Sequence, residues 1–171
     1  MPAFLVEDGT GLAAATSYVS VADADDYMSL IPATTAWDAL TPDSAKEDYL
    51  MFATRVLDNK SDFIGVKTNT DASLRWPRSY VYDRDAVLIL NTVVPTEIEH
   101  ATTELARILL ENDITTGQDV DHIKKLMVDV VQIEYQKDTS QLRISNYINS
   151  ILDPLGWFMT GRRGHGKILR A

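Results

Sequence analysis

The sequence predicts a mainly α fold: a compact domain of about four helices with a small β element or hairpin. Three observations support it. Apolar residues recur at helical spacing in several stretches, residues 126–135 alternate between apolar and polar, and residues 59–94 show no long helical period. We therefore expect one helical domain over residues 1–160, containing a long ordered loop, followed by an extended basic arm over residues 161–171.

Two helices are predicted in the first third of the chain, after a short extended arm and a glycine turn. The first begins after Ser20, a good N-cap, and ends before Pro32. The second starts with Thr41 as the N-cap and Pro42 at the first helical position, and the polar stretch 58–61 closes it. Their apolar faces contain Ala24, Tyr27, Met28 and Ile31 in the first helix and Ala45, Tyr49, Phe52, Ala53, Val56 and Leu57 in the second.

The clearest helix opens at Pro95 and runs to about Glu111. Glu97, Glu99 and Glu104 are expected to face away from its apolar stripe. The stripe consists of Ile98, Ala101, Leu105, Ile108 and Leu109.

A strand and a last helix are predicted after it. Val131, Ile133 and Tyr135 alternate with polar residues as in a strand, and Leu126 to Val128 is the candidate hairpin partner. An amphipathic helix follows and stops before Pro154. Its apolar face contains Ile144, Tyr147, Ile148, Ile151 and Leu152.

Composition and charge narrow the possible functions. The chain has 171 residues, 45% of them hydrophobic, and no cysteine, which excludes disulfides, thiolate metal sites and a cysteine nucleophile. No signal peptide and no membrane-length apolar run is visible, so we expect a soluble protein made in the cytoplasm. Residues 1–160 carry all 25 acids and 12 of the 16 bases, a net charge of −13, which disfavours a DNA-wrapping role.

Two patterns suggest chemistry, and both are incomplete. Gly161 to Lys167 fits most of a P-loop, but Ile168 stands where the motif needs Ser or Thr, and four residues cannot form the helix that must follow. Glu97, His100 and Glu104 have the spacing of one quarter of a di-iron site, yet no second Glu-x-x-His exists. No Gly-x-Ser-x-Gly elbow is present. We therefore expect no catalytic residues, no metal and no cofactor.

The segment 75–84 interleaves cations with aromatic side chains and has three interpretations. Its aromatic rings could stack on bases while arginines pair with phosphates. Trp76 and Pro77 could instead plug a core while Arg75 and Arg78 pair with Asp83 and Asp85. The segment could also form a protein–protein contact, since Trp, Tyr and Arg dominate interface hot spots.

Several literal strings are more specific than these patterns. The chain reads Val6-Glu7-Asp8-Gly9-Thr10-Gly11-Leu12 near its start, and Trp76-Pro77-Arg78-Ser79 followed by Val81-Tyr82-Asp83-Arg84-Asp85 in the middle. Together they resemble a family of tailed-phage neck proteins often labelled "DnaT-like single-stranded DNA-binding protein", whose members look like head–tail connectors, or adaptors. The resemblance spans most of the chain and weakens over residues 112–130 and in the tail.

The resemblance implies a non-enzymatic virion protein at the head–tail junction, present in the host cytoplasm during assembly. It implies a ring, usually of twelve subunits, that binds the portal protein, extends the channel for packaged double-stranded DNA and docks the next neck or tail-terminator protein. We predict a subunit interface at Arg75, Trp76, Arg78, Tyr80, Tyr82 and Arg84. We predict a portal-binding arm at Arg162, Arg163, Lys167, Ile168, Leu169 and Arg170, which could add a strand to the portal.

The family label implies an alternative from another functional class, a single-stranded DNA-binding accessory protein of replication. A salt titration separates the two, because cation-driven DNA binding weakens steeply as salt rises.

Overall fold

The computed structural model describes residues 3–32, 34–111, 125–128, 131–134 and 140–158, of which 125–128, 131–134, 140–145 and 158 are described by their backbone alone. The predicted portal-binding arm, residues 161–171, lies outside the described residues. The helices are α1 Val21–Met28, α2 Thr35–Asp38, α3 Asp43–Lys60, α4 Thr96–Glu111 and α5 Ser140–Leu152. The strands are β1 Ser61–Phe63, β2 Val66–Lys67, β3 Arg78–Ser79, β4 Lys125–Val128, β5 Val131–Glu134 and β6 Gly156–Phe158. The prediction of a mainly α fold with a small β element is confirmed.

Helix α4 is the centre of the domain and contacts α1, α2, α3 and α5. It is buried on most of its circumference, as expected for a helix surrounded by others. Glu104 is therefore buried at 1% exposure, and the prediction that it faces away from the core is wrong. The stripe residues Ile98, Ala101, Leu105, Ile108 and Leu109 are all buried, as predicted.

Two details of the N-terminal helices differ from the prediction. Helix α3 begins at Asp43, and Pro42 itself occupies the N-cap position with no side-chain cap, so the assignment of Thr41 as the cap is wrong. The short helix α2 was not predicted; four residues are too few for a periodic signal, and it is held by the fully buried Trp37. Ser20 caps α1 as predicted, accepting a hydrogen bond from the Asp23 N–H at 3.1 Å.

The strands form three two-stranded antiparallel sheets. Strand β4 pairs with β5 in the predicted hairpin, with Leu126 opposite Ile133. Strand β1 pairs with β6, which ties the end of α3 to the segment after α5, and β2 pairs with β3 inside the long loop. The loop is ordered and carries little regular structure, as the sequence predicted for residues 59–94. Within the described parts of the chain, no helix has the length and apolar character needed to cross a membrane.

Candidate interaction surface

The turn after the N-terminal arm is held together by the carboxylate of Glu7. Glu7 is 4% exposed, and its two oxygens accept hydrogen bonds from the N–H groups of Gly9 (3.1 Å), Gly11 (2.7 Å) and Leu12 (2.8 Å). Gly9 has a φ of +94°, and a Cβ there would lie 2.0 Å from the carbonyl oxygen of Thr92. The first literal string therefore builds a turn that packs against the end of the long loop, and performs no chemistry.

Tyr18 fixes the Trp-Pro-Arg segment to the core. Its hydroxyl donates to the Asp58 carboxylate at 2.6 Å and accepts from the N–H groups of Arg75 (3.0 Å) and Trp76 (3.2 Å). Burial and the neighbouring Asp58 charge raise the pKa of Tyr18 well above its usual value, and burial also raises the pKa of Asp58. This buried network holds the backbone at residues 75–76 in one position.

Trp76 lies in the core and contributes no surface. Its side chain is 0% exposed, and its ring meets Phe63 edge-on at 6.0 Å between centroids. The indole N–H has no hydrogen-bond partner in the described structure. Of the three interpretations of the segment, burial in the core is the one that holds for Trp76. Any interface formed by this segment therefore does not include the Trp76 side chain.

The neighbouring arginines bind backbone carbonyls. Arg75 donates from Nη1 to the Ser61 carbonyl at 3.0 Å, and Arg78 donates to the carbonyls of Ile64 (2.6 Å) and Gly65 (2.7 Å). The guanidinium groups thus supply donors to one carbonyl of β1 and to two carbonyls of the segment between β1 and β2.

The predicted ion pairs of Arg75 and Arg78 with Asp83 and Asp85 are therefore wrong. One oxygen of Asp83 instead accepts the N–H groups of Asp85 (2.9 Å) and Val87 (2.8 Å) and so shapes its own turn.

Arg84 joins this turn to the end of α5. It donates from Nε to the Asp153 carbonyl at 2.7 Å and from Nη2 to the Ser150 carbonyl. A cation at a helix C-terminus satisfies unpaired carbonyls and opposes the negative end of the helix dipole. Arg84 therefore positions the turn against the core.

Residues 80–90 form an irregular β-hairpin with one buried and one exposed face. Tyr82 pairs with Leu88, flanked by the bonds Asp83 N–H to Val87 O and Ile89 N–H to Val81 O, each 2.9 Å. Because side chains alternate across a strand, Val81 and Ile89 face inward and the other set faces solvent. That exposed set, which we call the hairpin face, is Tyr80 (75% exposed), Tyr82 (53%), Leu88 (51%) and Leu90 (64%).

A concave surface lies elsewhere on the molecule, beside the C-terminal half of α3. Its cavity volume is about 460 Å³, within the range of about 300–1,000 Å³ typical of binding pockets. We call it the α3 pocket, and its lining includes Met51, Phe52, Arg55, Asp58, Ser73 and Leu74. No residue lines both the α3 pocket and the groove beside Tyr80, Leu88 and Leu90.

A buried carboxylate cluster connects α1, α4 and α5. Glu104 accepts the hydroxyls of Tyr27 (3.2 Å) and Tyr147 (3.1 Å) on one oxygen and Nε of Arg107 (2.9 Å) on the other. The ring of Tyr27 also stacks on His100 at 4.4 Å. Glu104 is thus saturated by neutral and cationic donors, as a structural carboxylate is. In the described ranges, no group of three or more His, Asp or Glu side chains is placed to hold a metal ion.

The tyrosines of this cluster should make the fold sensitive to alkali. Burial, followed by the Glu104 charge, raises the pKa of both Tyr27 and Tyr147. Below about pH 10 the hydroxyls of both tyrosines are protonated in the folded and in the unfolded protein. Above that pH the unfolded chain loses these protons before the folded protein does, so the free energy of unfolding falls as pH rises. In urea titrations between about pH 8 and pH 11, the Tyr27→Phe/Tyr147→Phe variant should lose less stability than the parent. The exposed Tyr80→Phe variant is the control, and parallel curves for all three proteins would contradict the prediction.

The structure separates the six predicted interface residues into three groups. Tyr80 and Tyr82 are exposed on the hairpin face, Trp76 is in the core, and three arginines bind carbonyls of their own chain. Sequence reasoning did not include Leu88 and Leu90 in the site. The sequence did contain a pattern that indicates them. Large side chains at positions 80 and 82 and at positions 88 and 90 lie on either side of a short turn, which is the spacing of a β-hairpin.

Comparison with known proteins places the whole chain in one family. A family model described as "Putative DnaT-like ssDNA binding protein" matches residues 2–171. No curated protein and no solved structure matched. The match covers both literal strings and every element described above, so the chain belongs to this DnaT-like family.

Proposed function

We propose that this protein is a structural component of tailed-phage virions, a head–tail connector that acts through contacts between proteins and catalyses no reaction. The observation that carries the proposal is the hairpin face. It presents four large, mostly apolar side chains to solvent while the arginines around it are bound to carbonyls of their own chain. Exposed apolar surface of this kind is typical of protein interfaces.

In the proposed assembly, subunits form a ring, usually of twelve, under the portal protein. The ring extends the channel for packaged double-stranded DNA and docks the next neck or tail-terminator protein. The net charge of −13 over residues 1–160 supports this role, because an acidic channel wall repels phosphate and lets DNA pass without sticking. The residues proposed to bind the portal are Arg162, Arg163, Lys167, Ile168, Leu169 and Arg170.

Electron microscopy of phage particles tests the proposal. Particles carrying the full chain should show a ring of this protein between the portal and the tail. Particles made with a chain ending at residue 160 should lack that ring, because the basic arm is proposed to hold it. Particles carrying the full chain but no such ring would refute the connector function, and particles that keep the ring with the shortened chain would refute the role of the arm.

The family description supports a second candidate, single-stranded DNA binding. The exposed rings of Tyr80 and Tyr82 are the described groups best able to stack on bases. Against this, Arg78 and Arg84 already donate to backbone carbonyls, which leaves fewer of their N–H groups for phosphates.

A titration with fluorescent oligonucleotide separates the candidates. A DNA-binding protein should bind at low salt, lose affinity steeply as salt rises, and weaken when Tyr80 and Tyr82 are both replaced by Ala. The connector proposal expects no appreciable binding at physiological salt. Tight, salt-dependent binding that requires both tyrosines would favour the alternative.

A further inference from the structure

The hairpin face exposes large, mostly apolar side chains, and the α3 pocket is a concave surface with apolar residues in its lining. We propose that the hairpin face of one copy inserts into the α3 pocket of the next copy, so that subunits associate through two different surfaces. This inference rests on the proposed connector function, for which it supplies the subunit contact. Contacts of this heterologous kind generate closed rings when the rotation closes, whereas identical surfaces facing each other stop at a dimer.

The shape argument begins at Tyr80. Its backbone has a φ of +63°, a conformation uncommon for a bulky residue and energetically unfavourable. The strained backbone directs the ring into solvent at 75% exposure. Conformations of this kind persist only where the surrounding structure over-determines them, and they cluster at functional sites. Tyr80 is therefore the protruding anchor of the hairpin face.

The α3 pocket offers a suitable acceptor for this anchor. Met51, Phe52 and Leu74 provide apolar walls, and a volume of about 460 Å³ accommodates an aromatic side chain together with a neighbour. A buried tyrosine hydroxyl normally finds a hydrogen-bond partner, and the polar residue Asn59 is in the lining of the same pocket. Burying apolar area on both surfaces favours association, because that area is removed from water.

The charges at the edges of the two surfaces also match. Asp85 is exposed at the tip of the hairpin, and Arg55 is exposed at the pocket. Opposite charges at an interface rim steer association and fix its register.

Site-directed crosslinking tests the proposal directly, because the chain contains no cysteine. Leu88→Cys marks the hairpin face and Asn59→Cys marks the pocket, and both positions are exposed. With a short bis-maleimide, a mixture of these two variants should give covalent dimers, on purified protein at high concentration and within particles. Leu30→Cys is the matched control, because Leu30 is 81% exposed and lies on neither surface. In the control mixtures it replaces either Leu88→Cys or Asn59→Cys. Unchanged melting curves establish that each variant is folded.

The pattern of products decides between the possible contacts. Dimers from the Leu88→Cys and Asn59→Cys mixture, well above the Leu30→Cys control, support the proposal. Dimers from Leu88→Cys alone would show a symmetric contact and overturn it. A yield no higher than the control in both settings would also overturn it.

A charge exchange tests the same contact independently. Arg55→Asp in the pocket partner should lower the yield severalfold, and Asp85→Arg in the hairpin partner should restore it. Loss without restoration would assign Arg55 another role and contradict the proposed pairing. If the protein is present in the connector but the two variants give no crosslink, the proposed contact is overturned and the connector function is not. If the variants crosslink but the protein is absent from particles, the connector function is overturned and the contact is not.

Discussion

Trp76→Ala should lower the free energy of unfolding by about 3–5 kcal/mol, the range for removing a large aromatic side chain from a packed core. Trp76 is 0% exposed, packs edge-on against Phe63, and has its backbone N–H held by Tyr18. The loss combines the transfer of apolar area to water with the cavity left behind, because the network at residues 75–76 resists collapse. Urea titration followed by far-ultraviolet circular dichroism measures it.

Two further variants make this measurement specific. Tyr82→Ala removes an aromatic ring from the same segment at a 53% exposed position, and should change stability by about 0.5 kcal/mol or less. Trp76→Phe removes the unpartnered indole N–H along with part of the ring, so relief of an unsatisfied buried donor offsets some of the lost packing. Its loss should be clearly smaller than that of Trp76→Ala. If Trp76→Ala and Tyr82→Ala had equal, small effects, the core assignment of Trp76 would fail.

The helices could be predicted because their signals are local. Pro95 opening α4, the apolar stripe at 98, 101, 105, 108 and 109, and the Ser20 cap are all visible in a window of a few residues. The β4–β5 hairpin was predicted for the same reason, since its alternation is local and its partner is adjacent. Helix α2 was not, because its single turn is defined by the burial of Trp37 against distant parts of the chain.

The polar contacts could not be predicted, because they depend on long-range geometry. Arg75 and Arg78 have acidic neighbours in sequence, which suggested ion pairs, but the structure places carbonyls of residues 61–65 closer to them. Tyr18 meets Asp58 across 40 residues of sequence. Nothing in the local pattern distinguishes such partners from many others, since acids are abundant throughout the chain.

The candidate site was predicted in part for a related reason. Aromatic and cationic residues at 75–84 correctly marked a distinctive segment, yet composition could not say which side chains face inward. That depends on the pairing of Tyr82 with Leu88, which turns Tyr80 and Tyr82 outward together. Glu104, which its spacing in the sequence assigned to an exposed helix face, is among the most buried side chains of the described residues.

Removing the Glu104 carboxylate should therefore destabilise the protein strongly. Glu104→Leu leaves the hydroxyls of Tyr27 and Tyr147 without their acceptor and breaks the ion pair with Arg107. Breaking a buried pair by deleting one member costs about 3–5 kcal/mol. We expect a value near the lower end, about 3 kcal/mol, because Arg107 is 27% exposed and can turn towards water.

The decisive comparison is the triple variant Glu104→Leu/Tyr27→Phe/Tyr147→Phe, measured by the same urea titration. If most of the loss in Glu104→Leu comes from the two hydroxyls left without an acceptor, deleting those hydroxyls as well should recover a large part of it, since replacing a donor and its acceptor together by apolar groups of similar shape can be nearly neutral. Additive losses across the three substitutions would show instead that each group contributes separately. Glu104 bonds Tyr147 of α5, and Arg84 of the hairpin donates to a carbonyl at the end of α5. Glu104→Leu should therefore also lower the yield of the hairpin-to-pocket crosslink, although Glu104 lines neither surface.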